Sequence, residues 1–207
     1  MSYADKQDVE NYLTIDIDTS FDSQVTTWAN AVDRYIDRYT SKNFEETNKE
    51  VRYFDGSGES ELWVDDFTSI SSLEILEVGS TDIQKSLTQG KDNDYIIYPY
   101  NENPKYKIEL TPEADLGALG EAGTFPSGDK RVKVEAKWGH DTEVPDDINL
   151  AATILLSGII EEGLEGGKVV SESLGDYSVQ YAQDKIDELS NVMGVKEILD
   201  KYKEFTV

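Results

Sequence analysis

Carboxylates are the side chains in this sequence that come closest to a chemical site. Asp65 and Asp66 are adjacent, and paired carboxyl groups are what general acid–base hydrolysis uses. The run from Asp16 to Asp22, DIDTSFD, alternates carboxylates that suit a divalent cation, but it lacks the glycine and the closing glutamate of a calcium loop. Adjacent acids arise by chance in a chain this acidic, and the Asp16–Asp22 run suits helix capping. We therefore expect no metal site and no catalytic residue, so an enzyme is not predicted.

Other reactive residue types are scarce. His140 is the single histidine and cysteine is absent, which argues against a histidine triad, a cysteine nucleophile or a thiolate zinc site. We expect His140, which follows a strand and precedes an acidic turn, to be solvent-exposed or to cap that turn. The glycine patterns of phosphate loops, dinucleotide folds and nucleophile elbows do not occur. No cofactor is expected.

The composition bounds the protein class. The chain has 207 residues, 38% of them hydrophobic, which allows one ordinary domain or a small domain with a sizeable insertion. Nineteen basic residues against 43 acidic ones give a formal net charge of −24. Such a surface repels duplex phosphate, although DNA can still pass nearby without being gripped. The N-terminus shows no secretory pattern and the apolar stretch 150–160 is too short for a bilayer, so a soluble protein made in a cytoplasm is expected.

Helical periodicity marks both ends of the chain. A short helix is predicted over residues 5–13, and a longer one from Phe21, where an apolar stripe recurs every three or four residues as far as Tyr39. After Pro145, residues 148–160 are apolar nearly all round, which indicates a helix central to a bundle or covered by neighbouring subunits. Gly163, Gly166 and Gly167 are expected to end that helix and to act as a hinge. Residues 182–205 are predicted helical, with a break near Gly194.

The middle of the chain has the two-residue period of strands. Strands are predicted at residues 51–54, 61–64, 73–75, 95–98, 106–110 and 131–138, and the slip of alternation at Leu76 indicates a β-bulge. The glycine-rich loop 111–129 is long enough to suggest a functional or mobile segment. The tyrosines Tyr95, Tyr98, Tyr100 and Tyr106 fit ordinary sheet packing, with an interface role as the alternative. We predict an α+β fold in which residues 1–50 and 139–207 form a helical bundle core and residues 51–138 an inserted antiparallel β-rich subdomain.

The segment after the glycines is a candidate contact between subunits. Residues 174–181 form a polar, glycine-containing strip that follows a helix expected to be buried, so the strip is well placed to pair with a neighbouring chain. The predicted subunit-interface residues are Leu174, Asp176, Tyr177, Val179 and Tyr181.

Two parts of the sequence together resemble a known family. Both parts are similar to the tailed-phage head–tail connectors of the gp6-like or gp15-like type. The first part is the start of the chain, with a short predicted helix and then a long one that ends RYIDRYTSKNF. The second part contains the stretches WGHDTEVPDDINLAATILLSGIIEE and SESLGDYSVQYA. The resemblance covers Tyr3–Phe44 and Trp138–Ala182, under half of the chain, and rests on the order of several features rather than on one residue. The strand-rich middle is much larger than in the shortest members of that family.

The resemblance implies a role in the virion neck. It implies an adaptor that forms a ring, typically of twelve subunits, beneath the portal protein, extends the DNA channel and docks the next neck or tail protein. DNA would pass without specific binding, no membrane would be involved, and assembly would take place in the host cytoplasm. The C-terminal portion would contact the portal or the next neck protein, with Ile198, Tyr202 and Phe205 as the candidate residues. Two alternatives stay open: another neck protein, of the stopper or tail-completion type, and a hydrolase that uses carboxylates of the β-rich region.

Overall fold

The computed structural model describes residues 2–165, 185–191 and 194–203 of the chain. The described residues form two compact units: those of Met1–Lys42 with Val144–Val207, and Asn43–Glu143. The first unit holds the helices and the second holds the sheet. In the described ranges, no helix combines the length and the apolar character needed to cross a bilayer.

The helical unit begins with helix α1 (Lys6–Leu13), a 3₁₀ turn (Thr19–Phe21) and helix α2 (Asp22–Thr40). Asp5 caps α1 in a reciprocal capping box with Asp8, and Asp18 caps the 3₁₀ turn by accepting a hydrogen bond from the Ser20 amide. The capping role expected for the Asp16–Asp22 run is thus confirmed at Asp18. The predicted stripe of α2 is buried at its central positions, Val25, Trp28, Ala29, Val32 and Ile36.

The remaining helices are α3 (Asp146–Glu165), α4 (residues 185–191) and α5 (Val195–Leu199). Helix α3 packs against α1, α2 and α5. Seven of its apolar side chains are buried within one chain and need no neighbouring subunit to cover them, whereas Leu150 is 44% exposed; the buried ones are Ile148, Ala151, Ala152, Leu155, Leu156, Ile159 and Ile160. The expectation that Gly163 ends this helix is wrong, because α3 continues to Glu165. Gly166 and Gly167 lie outside the described residues. The predicted break near Gly194 is confirmed, since Gly194 has a φ of +70° just before α5.

The sheet unit consists of one antiparallel sheet of six strands. These are β1 (Lys49–Gly56), β2 (Glu61–Leu76), β3 (Ile83–Leu87), β4 (Tyr95–Tyr98), β5 (Lys105–Leu110) and β6 (Gly128–Trp138). Their order is β1-β6-β2-β5-β4, and β3 pairs with β2. Strand β2 is long enough to pair with β5 along its first half and with β6 and β3 along its second half. The predicted bulge at Leu76 is confirmed by a register shift between Ile75 and Leu76.

The sheet has a hydrophobic core of its own. Strand β6 alternates as predicted, with Val132, Val134, Ala136 and Trp138 buried. The long loop after β5 closes over the same core, and it buries Ala114, Leu116 and Phe125. The rest of the buried cluster comes from the other strands: Leu62, Phe67, Leu73, Ile75, Leu87, Tyr95, Ile97, Ile108 and Leu110.

The expected fold class is therefore wrong in its main element. The structure is an α+β protein rich in sheet, and it does not show a helical bundle core with a β-rich insertion attached to it. The physical reason is that the six strands share one sheet and bury a continuous apolar face, so they form a hydrophobic core that is independent of the helices. Apolar periodicity predicted which helix positions are buried, but it could not show that the strands would build a separate core of their own.

Candidate interaction site

The predicted subunit-interface residues, Leu174, Asp176, Tyr177, Val179 and Tyr181, all lie outside the described residues. Phe205, one of the predicted portal or neck contacts, does so as well. The other two predicted contacts, Ile198 and Tyr202, lie at the end of the described chain and are both half-buried.

Tyr202 is held by helix α3. Its phenol donates a hydrogen bond to Oδ1 of Asp147 at 2.6 Å, in the first turn of α3. Burial and this bond to a carboxylate raise the pKa of Tyr202 to about 12. The same C-terminal segment contacts α2, where the Tyr39 phenol donates to Asp200 at 2.6 Å and Lys203 lies 4.6 Å from the Tyr39 ring. Tyr202 therefore links the C-terminal segment to helix α3 within one chain.

The residues weighed for chemistry are engaged in structural contacts. The Asp65 carboxylate accepts a hydrogen bond from Arg52 at 2.7 Å, whereas the Asp66 carboxylate lies 3.6 Å from Nδ1 of His140. The two adjacent carboxylates thus have different partners and do not converge on one site. The expectation that His140 is solvent-exposed is wrong. Its side chain is half-buried and packs against Phe44, with 5.4 Å between the ring centroids. The described part of the chain contains no group of three or more potential metal ligands.

The most distinctive surface lies on the sheet and was not predicted from the sequence. Trp63 of β2 is 64% exposed, whereas the other two tryptophans, Trp28 and Trp138, are 4% and 1% exposed. Trp63 stacks on Tyr106 of β5, with 5.8 Å between ring centroids and 10° between ring planes. An exposed, stacked tryptophan–tyrosine pair is unusual on a monomer surface and typical of interaction sites.

The surroundings of Trp63 are set by strand register. Lys107 of β5 is the cross-strand partner of both Trp63 on one side and Tyr98 of β4 on the other. Its ammonium nitrogen lies 4.7 Å from the Tyr98 ring centroid and 5.8 Å from that of Trp63. The three side chains therefore form a row across three strands, on the face of the sheet opposite to Leu62 and Ile108.

The next row carries two acids. Glu61 and Glu109 are direct cross-strand partners, and like charges in that relation repel. Lys107 offsets the repulsion because its ammonium group donates to Glu61 at 2.6 Å and to Glu109 at 3.1 Å. The bond to Glu61, followed by that to Glu109, raises the pKa of Lys107 against the opposing effect of burial. We call Glu61, Trp63, Tyr98, Tyr106, Lys107 and Glu109 the Trp63 patch.

Sequence reasoning missed the Trp63 patch for a specific reason. In the sequence the tyrosines fit sheet packing as one group, with an interface role as the alternative, but the structure separates them: Tyr95 is 3% exposed and in the core, whereas Tyr106 is 41% exposed. The available signal was alternation, since Leu62 and Trp63 are neighbours in a strand and must face opposite sides of the sheet.

The sequence matches no protein-family model and no curated protein.

Proposed function

We propose that this protein is a structural component of a tailed-phage neck, a head–tail connector of the adaptor type. In this proposal its copies form a ring of about twelve beneath the portal, extend the DNA channel and dock the next neck or tail protein. The protein acts in the virion neck and assembles in the host cytoplasm. The basis is the resemblance of Tyr3–Phe44 and Trp138–Ala182 to that family.

The observation that most supports the proposal is a hydrogen bond between Asn149 and Tyr3. The side-chain amide of Asn149 in α3 donates to the backbone oxygen of Tyr3 at 2.8 Å, and α3 packs against both α1 and α2. The helices of the two stretches that resemble the connector family, α1 and α2 from one and α3 from the other, thus pack together in one helical unit. This arrangement is consistent with the proposal, because the helices that carry the resemblance belong to one structural unit.

The charge of the protein is consistent with a channel role. A formal charge of −24 disfavours adhesion to DNA, which a channel has to let pass. We expect the inner surface of the ring to be largely acidic. We propose no enzymatic activity and no cofactor, since the carboxylates considered for hydrolysis have separate partners in the fold.

A stopper or tail-completion protein is the second candidate. The observation that favours it is the size of the sheet unit, which has its own core and an exposed aromatic patch. The two candidates differ in which partner they meet first.

Co-sedimentation separates them. The purified chain is incubated with portal rings of its own phage and, in parallel, with purified tails. The adaptor proposal expects saturable binding to portals without tails present. Binding to tails and not to portals would replace the adaptor proposal with the stopper alternative, and binding to neither would reject both.

A further inference from the structure

We propose that the Trp63 patch docks a basic segment of a partner protein, with an arginine or lysine side chain seated against the exposed part of the Trp63 ring. This inference concerns the sheet unit alone and does not depend on the proposed connector function. It identifies an interaction surface and the chemistry of the segment that fits it.

The aromatic part of the patch provides the contact surface. Trp63 is 64% exposed even though one of its neighbours, Tyr106, stacks on it at 10° between ring planes. Tryptophan is the side chain whose ring face attracts cations most strongly. The stacked Tyr106 and the strand backbone hold the indole in place, so a partner loses little entropy in ordering it.

The patch already contains a cation held between rings. Lys107 lies beside both Tyr98 and Trp63 and donates to Glu61 and Glu109. This internal lysine shows that the geometry of the patch accommodates an ammonium group. It neutralises one of the two acids, so the patch keeps a net negative charge.

Charge complementarity selects the occupant. Each carboxylate has about four acceptor positions, and Lys107 uses one oxygen of Glu61 and one of Glu109. The side chains of Glu61 and Glu109 are 41% and 37% exposed, so a guanidinium or ammonium group can reach them from solvent. An acidic segment is repelled by the net negative charge of the patch, whereas a basic segment is attracted.

Three variants separate cation docking from simple exposure. Trp63→Ala removes the ring, and Glu61→Gln with Glu109→Gln removes the acids; both changes are expected to weaken binding, by about tenfold and about fivefold. Lys107→Met removes the competing internal cation and is expected to tighten binding several-fold. Tyr100→Ala is the matched control, because Tyr100 is also 64% exposed but does not belong to the patch.

The probe is a rhodamine-labelled, amidated peptide of sequence Arg-Gly-Arg-Gly-Arg-Gly, whose binding is followed by fluorescence anisotropy. A peptide with glutamate in place of arginine and a cellulose hexasaccharide are tested by competition. The binding position is read from the indole N–H signals in NMR, in which the buried Trp28 and Trp138 serve as internal references. Thermal melting of each variant checks that it is folded.

The proposal is supported if the arginine peptide shifts the indole N–H signal of Trp63 and leaves those of the other two tryptophans unchanged. It also requires that Lys107→Met bind the peptide more tightly than the parent protein, and that Glu61→Gln/Glu109→Gln and Trp63→Ala bind it more weakly. It is overturned if no saturable binding occurs, if the glutamate peptide competes equally, or if Tyr100→Ala weakens binding as much as Trp63→Ala. Binding of the hexasaccharide in preference to the peptide also overturns it and identifies the patch as a sugar platform.

Discussion

The side-chain amide of Asn149 donates a hydrogen bond to the backbone oxygen of Tyr3 at 2.8 Å, and so ties the start of the chain to helix α3. The backbone amide of Tyr3 in turn donates to Asp33 of α2 at 3.1 Å, and its phenol donates to Asp37, one turn further along. Tyr3 itself is 4% exposed. A single tyrosine thus joins three segments of the helical unit, and one of its partners, Asp33, links the stability of that unit to pH.

Asp33 makes the helical unit more stable at mildly acidic pH. Burial raises its pKa to about 6, against hydrogen bonds from Ser2 and Tyr3 that lower it, while the nearby Asp37 raises it further. Because the pKa is higher in the folded state than in the unfolded state, this contribution is fully present below about pH 4 and is lost as the pH rises through about 6. Allowing for partial exposure, it amounts to about 1–2 kcal/mol.

Asp33→Asn therefore tests this linkage. The amide keeps an oxygen for Tyr3 and carries no charge, so the variant should be more stable than the parent at pH 7 and similar at pH 4. Urea unfolding from pH 4 to pH 7 measures the difference, with Asp92→Asn as an exposed control. A constant difference between Asp33→Asn and the parent at every pH would contradict the assigned pKa.

The glycine of the Trp138-Gly139 turn is required by close packing within the sheet unit. Gly139 has a φ of +130°, and a Cβ there would lie 2.4 Å from the backbone oxygen of Glu45. Gly139→Ala should cost more than about 2 kcal/mol because strain and a backbone clash act together. Gly79→Ala, at a φ of +71° with nothing within 4 Å of the added methyl, should cost about 1 kcal/mol. Equal losses in chemical denaturation would show that the close approach is not what requires glycine at 139.

The Tyr202 hydroxyl contributes to stability through Asp147. Tyr202→Phe removes a 2.6 Å bond to a carboxylate and should lower the free energy of unfolding by about 1–2 kcal/mol. Tyr39→Phe removes the more exposed bond to Asp200 and should cost less than about 1 kcal/mol. Both values come from denaturant unfolding. If Tyr202→Phe left stability unchanged but abolished binding to the portal or the next neck protein, Tyr202 would be a contact residue for that partner and its bond to Asp147 would not stabilise the fold.

Trp63 should dominate the accessible tryptophan fluorescence. Trp28 and Trp138 are almost fully buried, so acrylamide should quench one emission component out of three. The nearby acids predict that caesium quenches this component more strongly than iodide at low salt, and that the difference shrinks as salt screens the charges. Stern–Volmer plots of the parent and of Trp63→Phe measure both effects. Stronger quenching by iodide would contradict an acidic patch.

Sequence reasoning located elements better than it located their partners. Strand β6 shows a clean two-residue alternation, and it was predicted almost to its bounds because each side chain faces either core or solvent. Strand β2 was read as two separate strands, since register shifts near Phe67 and Ile70 interrupt its alternation. Strand β3 was missed because its burial pattern has one buried position, Leu87.

The fold class and the Trp63 patch depended on information that periodicity does not carry. Which strands share a sheet follows from long-range pairing, such as β2 with β5 and β6. Alternation shows that Trp63 faces away from Leu62, but the register that places Trp63 opposite Lys107 is set by long-range pairing and is not visible in the local pattern. The burial of Arg131 in β6 is a further example. Arg131 is 7% exposed, and its Nε donates to the backbone oxygen of Leu76, a partner on another strand that the local pattern does not reveal.

The proposal that this protein is a ring-forming connector is tested most directly by the mass of the assembly. Native mass spectrometry of the purified chain, alone and after mixing with its portal, counts the copies bound per portal ring. We expect a monomer in the protein alone and about twelve copies per portal ring in the mixture. Binding of one or two copies, or no change in mass at saturating concentration, would contradict it.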